Sequence, residues 1–389
     1  MSLDATHMRR ALALAERGRG LTSPNPMVGA VLVDRAGEVV GEGFHRVAGG
    51  PHAEVEVLAA AGLRARGATL YVTLEPCRHQ GRTPPCVPAL LAAGVARVVA
   101  ALEDPDPRVA GGGGRSLRAG GVDVTVGVLA AEAERQNRVF LGAVRRGRPH
   151  VTLKAGMSLD GKLADFRGAS RWITGEAARR RAHELRAEAD AIVVGVGTVL
   201  QDDPELTVRL TPAWPREPLR VVLDSGARTP PDARVIGARS PARALIAVGE
   251  DVPDERAEKL AGTGATVVRC RLRDGRIDLH SLLAELGSRA VRGILVEGGA
   301  EVHAGFVEGG LVDRVAVFVA PMLLGGRGAP GLLGGGGLEL PFALRLGAFE
   351  VTTHGPDLLL EADVVSTARD SGPNVGTRRP GEGSPTVNP

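Results

Sequence analysis

The sequence predicts an α/β protein built from two successive units with largely parallel sheets. Three observations predict it. Short apolar runs alternate with helical patterns along almost all of the 389 residues, which is the signature of strands joined through helices. Runs such as Ile192-Val193-Val194 are apolar on both faces, as strands covered by helices on each side must be. The length suits two domains rather than one.

The elements follow in order. The first twenty residues read as an amphipathic helix, without the continuous apolar stretch of a secretion signal. Strands are expected at 27–34, 39–44, 69–74, 97–102 and 122–128. Asp34-Arg35-Ala36-Gly37-Glu38 reads as a hairpin turn between the first two, so this sheet is mixed. A helix over 131–146 ends in arginines, then Gly147 and Pro149, a normal stop signal. That places a boundary between a unit at 1–147 and a unit at 148–365. In the second unit, strands are expected at 150–154, 191–195, 219–224, 243–249, 265–270, 293–297 and 313–320. The remainder, 366–389, is rich in Gly, Pro, Ser and Thr and is expected to be a disordered tail.

Composition narrows the function classes. Hydrophobic residues make up 43% and aromatic residues 3%, so the cores must be built from Val, Leu, Ile and Ala. A net charge of +3 and a pI near 9.0 are too weak and too dispersed to indicate a nucleic-acid partner. No stretch is apolar for long enough to predict a membrane span. The 3 Cys do not make a disulfide framework, which points to a reducing compartment and hence the cytoplasm.

Two of the three cysteines lie in one chemical constellation. Pro51-His52-Ala53-Glu54 opens a helix, and the strand at 69–74 leads into Glu75-Pro76-Cys77. The run continues to Cys86, which opens the next helix. A His-x-Glu followed by Pro-Cys and a second Cys is the pattern of zinc deaminases, in which the Glu is not a ligand. His52, Cys77 and Cys86 would supply three ligands to Zn2+, leaving the fourth tetrahedral position for water, as catalytic sites do. Glu54 would move the protons. Cys86 gains as a thiolate from its helix N-terminus. His79 could pass for a fourth ligand, but a closed site would have no room for water, so a loop or substrate role is favoured. Cys270, on a strand, reads as a small buried hydrophobe.

The cysteine spacing is longer than the C-x-x-C common in cytidine deaminases. Pro76-Cys77-Arg78-His79-Gln80-Gly81-Arg82-Thr83-Pro84-Pro85-Cys86 resembles the signature of the riboflavin-biosynthesis pyrimidine deaminase. So do Ser23-Pro24-Asn25-Pro26-Met27-Val28-Gly29, the run from Gly43 through Glu54, and Asp104-Pro105-Asp106-Pro107. In the second half, the run from Leu153 to Lys162, Ser170-Arg171-Trp172-Ile173-Thr174-Gly175, the run from Arg186 to Arg209, and Val296-Glu297-Gly298-Gly299 resemble the reductase half of the bifunctional riboflavin deaminase-reductase family. The resemblance covers about residues 3–365. It implies a cytidine-deaminase-like three-layer domain followed by a dihydrofolate-reductase-like domain. The implied activities are those of a diaminohydroxyphosphoribosylaminopyrimidine deaminase and a 5-amino-6-(5-phosphoribosylamino)uracil reductase, with Zn2+ and NADPH as cofactors and a pyrimidine ribosyl phosphate as substrate. By the same resemblance, Asn25, His45, Ser170, Arg186, Leu206, Arg209 and Glu297 contact substrate. Gly156 (where the family often has Ala), Trp172, Thr198, Asp202, Ser225, Gly298 and Gly299 contact the cofactor. A homo-oligomer is expected.

The reductase half has one independent pointer. The chain holds 45 Arg but only 3 Lys, and two of these, Lys154 and Lys162, fall close together near an expected strand end, where α/β proteins place ligands. A compact, titratable ammonium at Lys154 suits a catalytic role in reduction better than a guanidinium fork. Glycines after the strands ending near Gly195 and Glu297 allow close approach to phosphates. Gly326-Arg327-Gly328-Ala329-Pro330-Gly331 fits G-x-G-x-x-G, but Pro330 opposes the helix such a fingerprint must open, so it reads as a loop. The alternatives are a nucleic-acid base deaminase with an unrelated appendage, opposed by the scarcity of stacking aromatics, and a non-catalytic zinc-fold binding protein, opposed by the complete His52, Glu54, Cys77 and Cys86 set.

Overall fold

The structure is a computed structural model that describes residues 2–81, 83–106, 109–237 and 243–366. The first unit contains α1 (Leu3–Glu16), β1 (Gly29–Val33), β2 (Val39–Phe44), α2 (Ala53–Ala61), β3 (Thr69–Val72), α3 (Cys86–Ala92), β4 (Arg97–Ala100), α4 (Gly112–Ala119), β5 (Asp123–Val126), α5 (Ala130–Gln136) and α6 (Arg138–Arg146). Its sheet runs β2-β1-β3-β4-β5. β1 is antiparallel to β2 and β3, while β3, β4 and β5 are parallel. The β1–β2 turn is the expected hairpin, closed by Asp34 Oδ1, which accepts from Ala36 N and Glu38 N at 2.9 Å.

Strand alternation sorts this core into two layers. Leu32, Leu70 and Val98 pack with Ala53, Val57 and Leu90 from α2 and α3. Their neighbours Val31, Tyr71 and Val99 face Met8, Ala133 and Leu141 from α1, α5 and α6 on the other side. The result is the three-layer sandwich that the sequence resemblance implies.

One helix departs from expectation. The pattern over 131–146 is broken at Asn137, whose backbone (φ −100°, ψ 18°) separates α5 from α6. Its amide is fully engaged elsewhere: Oδ1 accepts from Met27 N and Nδ2 donates to Met27 O, both at 2.8 Å. A side chain that satisfies backbone groups outside its own helix competes with helical continuity, and here it anchors the loop bearing Asn25.

The second unit contains β6 (His150–Ser158), α7 (Glu176–Glu188), β7 (Ala191–Gly195), α8 (Val196–Asp202), β8 (Leu219–Leu223), α9 (Arg234–Gly237), β9 (Ala244–Gly249), α10 (Asp254–Ala261) and β10 (Thr266–Cys270). A small hairpin, β11 (Leu272–Arg273) and β12 (Arg276–Ile277), leads to α11 (Leu279–Ser288), β13 (Gly293–Val296), α12 (Ala300–Glu308) and β14 (Arg314–Ala320). The unit closes with β15 (Arg345–Leu346), β16 (Glu350–His354) and β17 (Asp357–Ser366). The sheet order is β10-β9-β8-β7-β13-β6-β14-β17-β15, with β16 also paired to β17. The strands from β10 to β14 are parallel. The terminal strands are antiparallel, a feature the sequence pattern did not reveal. β16 is exposed over nearly its whole length and offers no buried alternation to read.

Two further expectations change. β6 runs to Ser158 rather than ending near 154, because it keeps pairing with β14 from Thr152↔Arg314 to Ser158↔Ala320. Lys154 therefore sits in mid-strand, not at a strand end. The glycine after β7 is not in a loop: α8 begins directly at Val196, with Gly195 as its N-cap. The 326–331 run opens no α-helix, as expected. Apart from Ser366, the tail at 366–389 lies outside the described residues. Among the described residues no helix is long and apolar enough to cross a membrane.

The units meet around Asp190, which is buried. Its Oδ2 accepts from Ser23 Oγ of the first unit at 2.8 Å, and from Arg292 N and Gly293 N of the second at 2.7 and 2.9 Å.

Candidate active sites

His52 is the N-cap of α2, with extended backbone (φ −74°, ψ 161°). That non-helical geometry lets it converge with Glu54, which a continuous helix would turn to another face. Cys86 starts α3, and Cys77 is tied beside it, its carbonyl accepting from Cys86 N at 3.1 Å and Val87 N at 3.2 Å. The donor atoms form a compact triangle. His52 Nδ1 is 3.3 Å from Cys86 Sγ and 3.6 Å from Cys77 Sγ, and the two sulfurs are 3.6 Å apart. A tetrahedral zinc with bonds of about 2.0–2.3 Å requires ligand separations of roughly 3.5–3.8 Å, so these residues fit the metal as they stand. His52 Nε2 lies 3.1 Å from Thr83 Oγ1, which fixes the ring from behind. The hydrogen bond between the thiols pulls Cys77 down and pushes Cys86 up.

Glu54 is 3% exposed. Burial raises its carboxyl to about 6, against the opposing pull of His52. It lines a cavity of about 360 Å³ together with His52, Cys77, Asn25 and His45. His45 donates from Nδ1 to Pro51 O at 2.9 Å and accepts at Nε2 from Asn25 Nδ2 at 3.0 Å. Burial lowers its pKa. His79 lines the same cavity, but the metal-ligating cluster among the described residues comprises His52, Cys77 and Cys86 without it. Its Nδ1 is buried and has no partner among the described residues.

In the second unit the strand register assembles the site. Leu153 pairs with Val296, so Lys154 stands level with Glu297 on the neighbouring strand. Lys154 Nζ lies 3.7 Å from Glu297 Oε2. Arg186 grips the same carboxylate from α7, with Nε–Oε1 and Nη2–Oε2 at 2.7 and 2.8 Å. Burial alone would raise Glu297, but the Arg186 and Lys154 charges outweigh it and hold the carboxyl well below the usual range. Arg209 is exposed, and its backbone N–H donates to His183 Nδ1 at 3.2 Å. Leu206 is 3% exposed and belongs to the core, which leaves little of its side chain for a ligand.

The cofactor candidates fall into two groups. Gly156 faces Thr174: a Cβ there would meet Thr174 Cγ2 at 3.3 Å. Ser170 Oγ donates to Asp202 Oδ1 at 3.5 Å, and exposed Trp172 lies under the Arg179 guanidinium at 4.3 Å. Thr198, Ser225 and Gly298-Gly299 follow the carboxyl ends of β7, β8 and β13, the edge where parallel sheets bind ligands. A Cβ at Gly299 would meet nothing within 4 Å, and α12 starts there without a side-chain cap. Open backbone at a helix start accepts phosphate, so this edge fits a dinucleotide.

Several residues around the two sites escaped the sequence. Glu75 collects backbone N–H groups from Gly111 and Gly114 at 2.8 Å and Asp104 at 3.3 Å, and so shapes the cavity wall. His303 is buried, its Nδ1 3.0 Å from Leu332 O, and burial lowers it to about 4. Arg292, from the second unit, lines the cavity of the first. Thr83, Glu75 and Asp104 lay in motifs the sequence displayed, whereas nothing marked Arg292 among the chain's many arginines.

Both halves of the chain match known families. Residues 1–102 match the cytidine and deoxycytidylate deaminase zinc-binding region, and residues 149–360 match the RibD C-terminal domain. The chain is 45% identical over 372 residues to the riboflavin biosynthesis protein RibD of Escherichia coli (strain K12), covering 92% of this chain and 98% of that protein. It is 42% identical to the RibD of Aquifex aeolicus, covering 92% and 98%. Acinetobacter baumannii RibD superposes with a TM-score of 0.85 at 37% identity, covering 94% of this chain and 99% of that one. A diaminohydroxyphosphoribosylaminopyrimidine deaminase/5-amino-6-(5-phosphoribosylamino)uracil reductase from Thermotoga maritima superposes at 0.78 with 35% identity, covering 93% and 99%. A metal triangle beside a buried carboxylate in one half, a lysine–glutamate pair at a parallel sheet in the other, and relatives matched end to end lead to one conclusion: the chain belongs to the RibD family of bifunctional deaminase-reductases of riboflavin biosynthesis.

Proposed function

We propose that this chain deaminates 2,5-diamino-6-(5-phosphoribosylamino)pyrimidin-4-one in its first unit and reduces the ribosyl chain of the product to ribityl in its second. The observation that carries the reading is the zinc-fitting triangle of His52, Cys77 and Cys86 sharing one cavity with buried Glu54. Zinc, when bound, supplies Lewis acidity that eases the ionisation of water. Glu54 takes the proton from the attacking water and passes it to the ring nitrogen and the departing ammonia. Asn25 and His45, locked to each other, hold the pyrimidine.

NADPH, when bound, supplies the hydride. Gly298-Gly299, Thr198 and Ser225 would hold it along the strand edge, with Gly156, Trp172, Ser170 and Asp202 around the reacting end. Lys154 stabilises negative charge developing on the sugar oxygen. Glu297 and Arg186 hold that ammonium in place and flank the ribose chain, with Arg209 and the Leu206 backbone at the rim. The matched RibD C-terminal domain argues against an unrelated appendage. The test is one zinc per chain, ammonia release from the pyrimidine, and NADPH oxidation that depends on prior deamination. Deamination without reduction would remove the second half of the reading.

Three further proposals accompany this one. The functional units divide at 147/148, supported by the αL C-cap of α6 at Gly147 and the start of β6 at His150. Fragments cut there should each remain soluble. Location is cytoplasmic, supported by three free cysteines and tested by fractionation. The protein self-associates, supported by exposed Phe342, Phe349, Val351 and Val365 around the terminal strands. Sedimentation of Val351→Glu against wild type checks it.

A further inference from the structure

The deaminase cavity is not closed by its own unit alone. Ala290 and Arg292, from the loop entering β13, complete its wall. Arg292 also lines a second cavity of about 620 Å³ between the units. Asn25 and Phe140 line both, so the two spaces meet at this arginine.

Four of the five other described arginines lining the larger cavity have carboxylate partners. Arg19 lies 3.2 Å from Glu188, Arg181 lies 3.0 Å from Glu188, Arg138 lies 3.3 Å from Asp363 and Arg314 lies 2.8 Å from Asp363. Arg292 differs. Its backbone is pinned, N to Asp190 Oδ2 at 2.7 Å and O to His150 N at 2.8 Å. Its guanidinium forms no ion pair among the described residues, and Nε is buried without a partner. A buried donor left unsatisfied is costly, so a guanidinium without an anion, carried on a pinned backbone, marks a place where an anion is to arrive.

The charge around it points the same way. Glu54, Glu75, Asp104 and Asp106 line the deaminase cavity, and Arg292 is its one arginine or lysine among the described lining residues. A ribosyl phosphate must enter this acidic space with a dianionic end. A guanidinium offers the planar fork that matches a phosphate.

We propose that Arg292, carried by the reductase unit, is a specificity residue of the deaminase site and binds the terminal phosphate of the ribosyl phosphate substrate. The inference rests on the deaminase reading above and adds that the second unit selects what the first unit processes.

The test compares full-length, zinc-loaded wild type with Arg292→Gln and Arg292→Lys on the phosphorylated pyrimidine and on its dephosphorylated riboside. In Arg292→Gln, kcat/KM for the phosphorylated substrate should fall roughly tenfold to hundredfold, mostly through KM, as expected for a lost charge-assisted contact. The riboside should be deaminated as by wild type. Arg292→Lys should retain part of the discrimination, and reduction of deaminated substrate should be unchanged. Equal losses on both substrates would assign Arg292 to structure alone, and an undiminished phosphate preference would remove it from the site. Calorimetric binding of ribose 5-phosphate gives an arm independent of turnover. Weaker binding to Arg292→Gln than to wild type supports the phosphate contact even if the pyrimidine assigned above is wrong, and equal binding overturns it. If Arg292→Gln does not fold, the same comparison on Arg292→Lys decides.

Discussion

Glu54 in the first half and Glu297 in the second are both buried side chains beside their half's chemistry, and the two are kept in opposite conditions. Glu54 sits in the deaminase cavity with no arginine or lysine bonded to it among the described residues, and burial lifts its carboxyl to about 6. Glu297 lies between Arg186 and Lys154, whose charges overcome burial and hold it ionised. The first suits a group that must give and take protons. The second suits a fixed counter-charge that holds other groups still. Burial alone therefore does not announce a proton-transfer residue; what surrounds the carboxylate decides its work.

The comparison breaks most visibly at Glu297. Glu297→Gln leaves Arg186 and Lys154 partly buried without their counter-charge, and breaking such a pair costs about 3–5 kcal/mol. Chemical denaturation should show that loss, and a change under about 1 kcal/mol would mean the network is not structural. The pH dependence has a definite sign. A carboxylate held below its unfolded value adds stability above the ordinary carboxylate range, and that stability is lost as pH falls through the folded pKa. Acidification should therefore erode wild type more than Glu297→Gln.

Glu54→Gln should do the reverse: stability and zinc content stay, while deamination falls by at least about 10²-fold. Zinc lost along with activity would mean that Glu54 helps hold the metal. Reduction of pre-deaminated substrate should continue, and it should also survive Cys86→Ala, which removes a metal ligand.

A smaller effect is expected at Lys154. Lys154→Arg keeps the charge but widens the head, and reductase turnover should fall by more than roughly tenfold, about 1.4 kcal/mol. Lys259→Arg, on α10, is the control. Equal turnover in both variants would leave Lys154 as a counter-ion of Glu297 and nothing more. The smallest effect is expected from ending the chain after Ser366, which should leave both activities and the melting temperature unchanged. A large drop in melting temperature would show that 367–389 dock on the fold.

The sequence disclosed the two halves unequally, for a geometric reason. The metal triangle is built from residues close along the chain, on two helix starts and the loop before one of them, so its spacing survives as a readable motif. The reductase site is drawn from β6, α7, α8 and the ends of β8 and β13, brought together by sheet register. Lys154 meets Glu297 only because Leu153 pairs with Val296, and no linear pattern states a register. The break at Asn137 was hidden because its partner, Met27, lies 110 residues away. The strand β16 was missed because its side chains are exposed along nearly its whole length, whereas β17, which buries Leu359 and Ala362, carried a core pattern that was not read. Family resemblance supplied many of the reductase residues, and Leu206 shows its limit, since here that side chain is core.

Asp190 bears on how such a chain could have arisen. Of its oxygens' partners among the described residues, Arg292 N, Gly293 N and Arg216 belong to its own unit, and Ser23 Oγ alone comes from the other. Had the two units once been separate proteins, this carboxylate would already have been satisfied within the reductase, and joining would have asked only for a serine hydroxyl in place of a water. This contact is thus chemically inexpensive to open or close. Fusion and fission of the two genes would meet little resistance at this contact, so what keeps the halves on one chain must be sought in what passes between them.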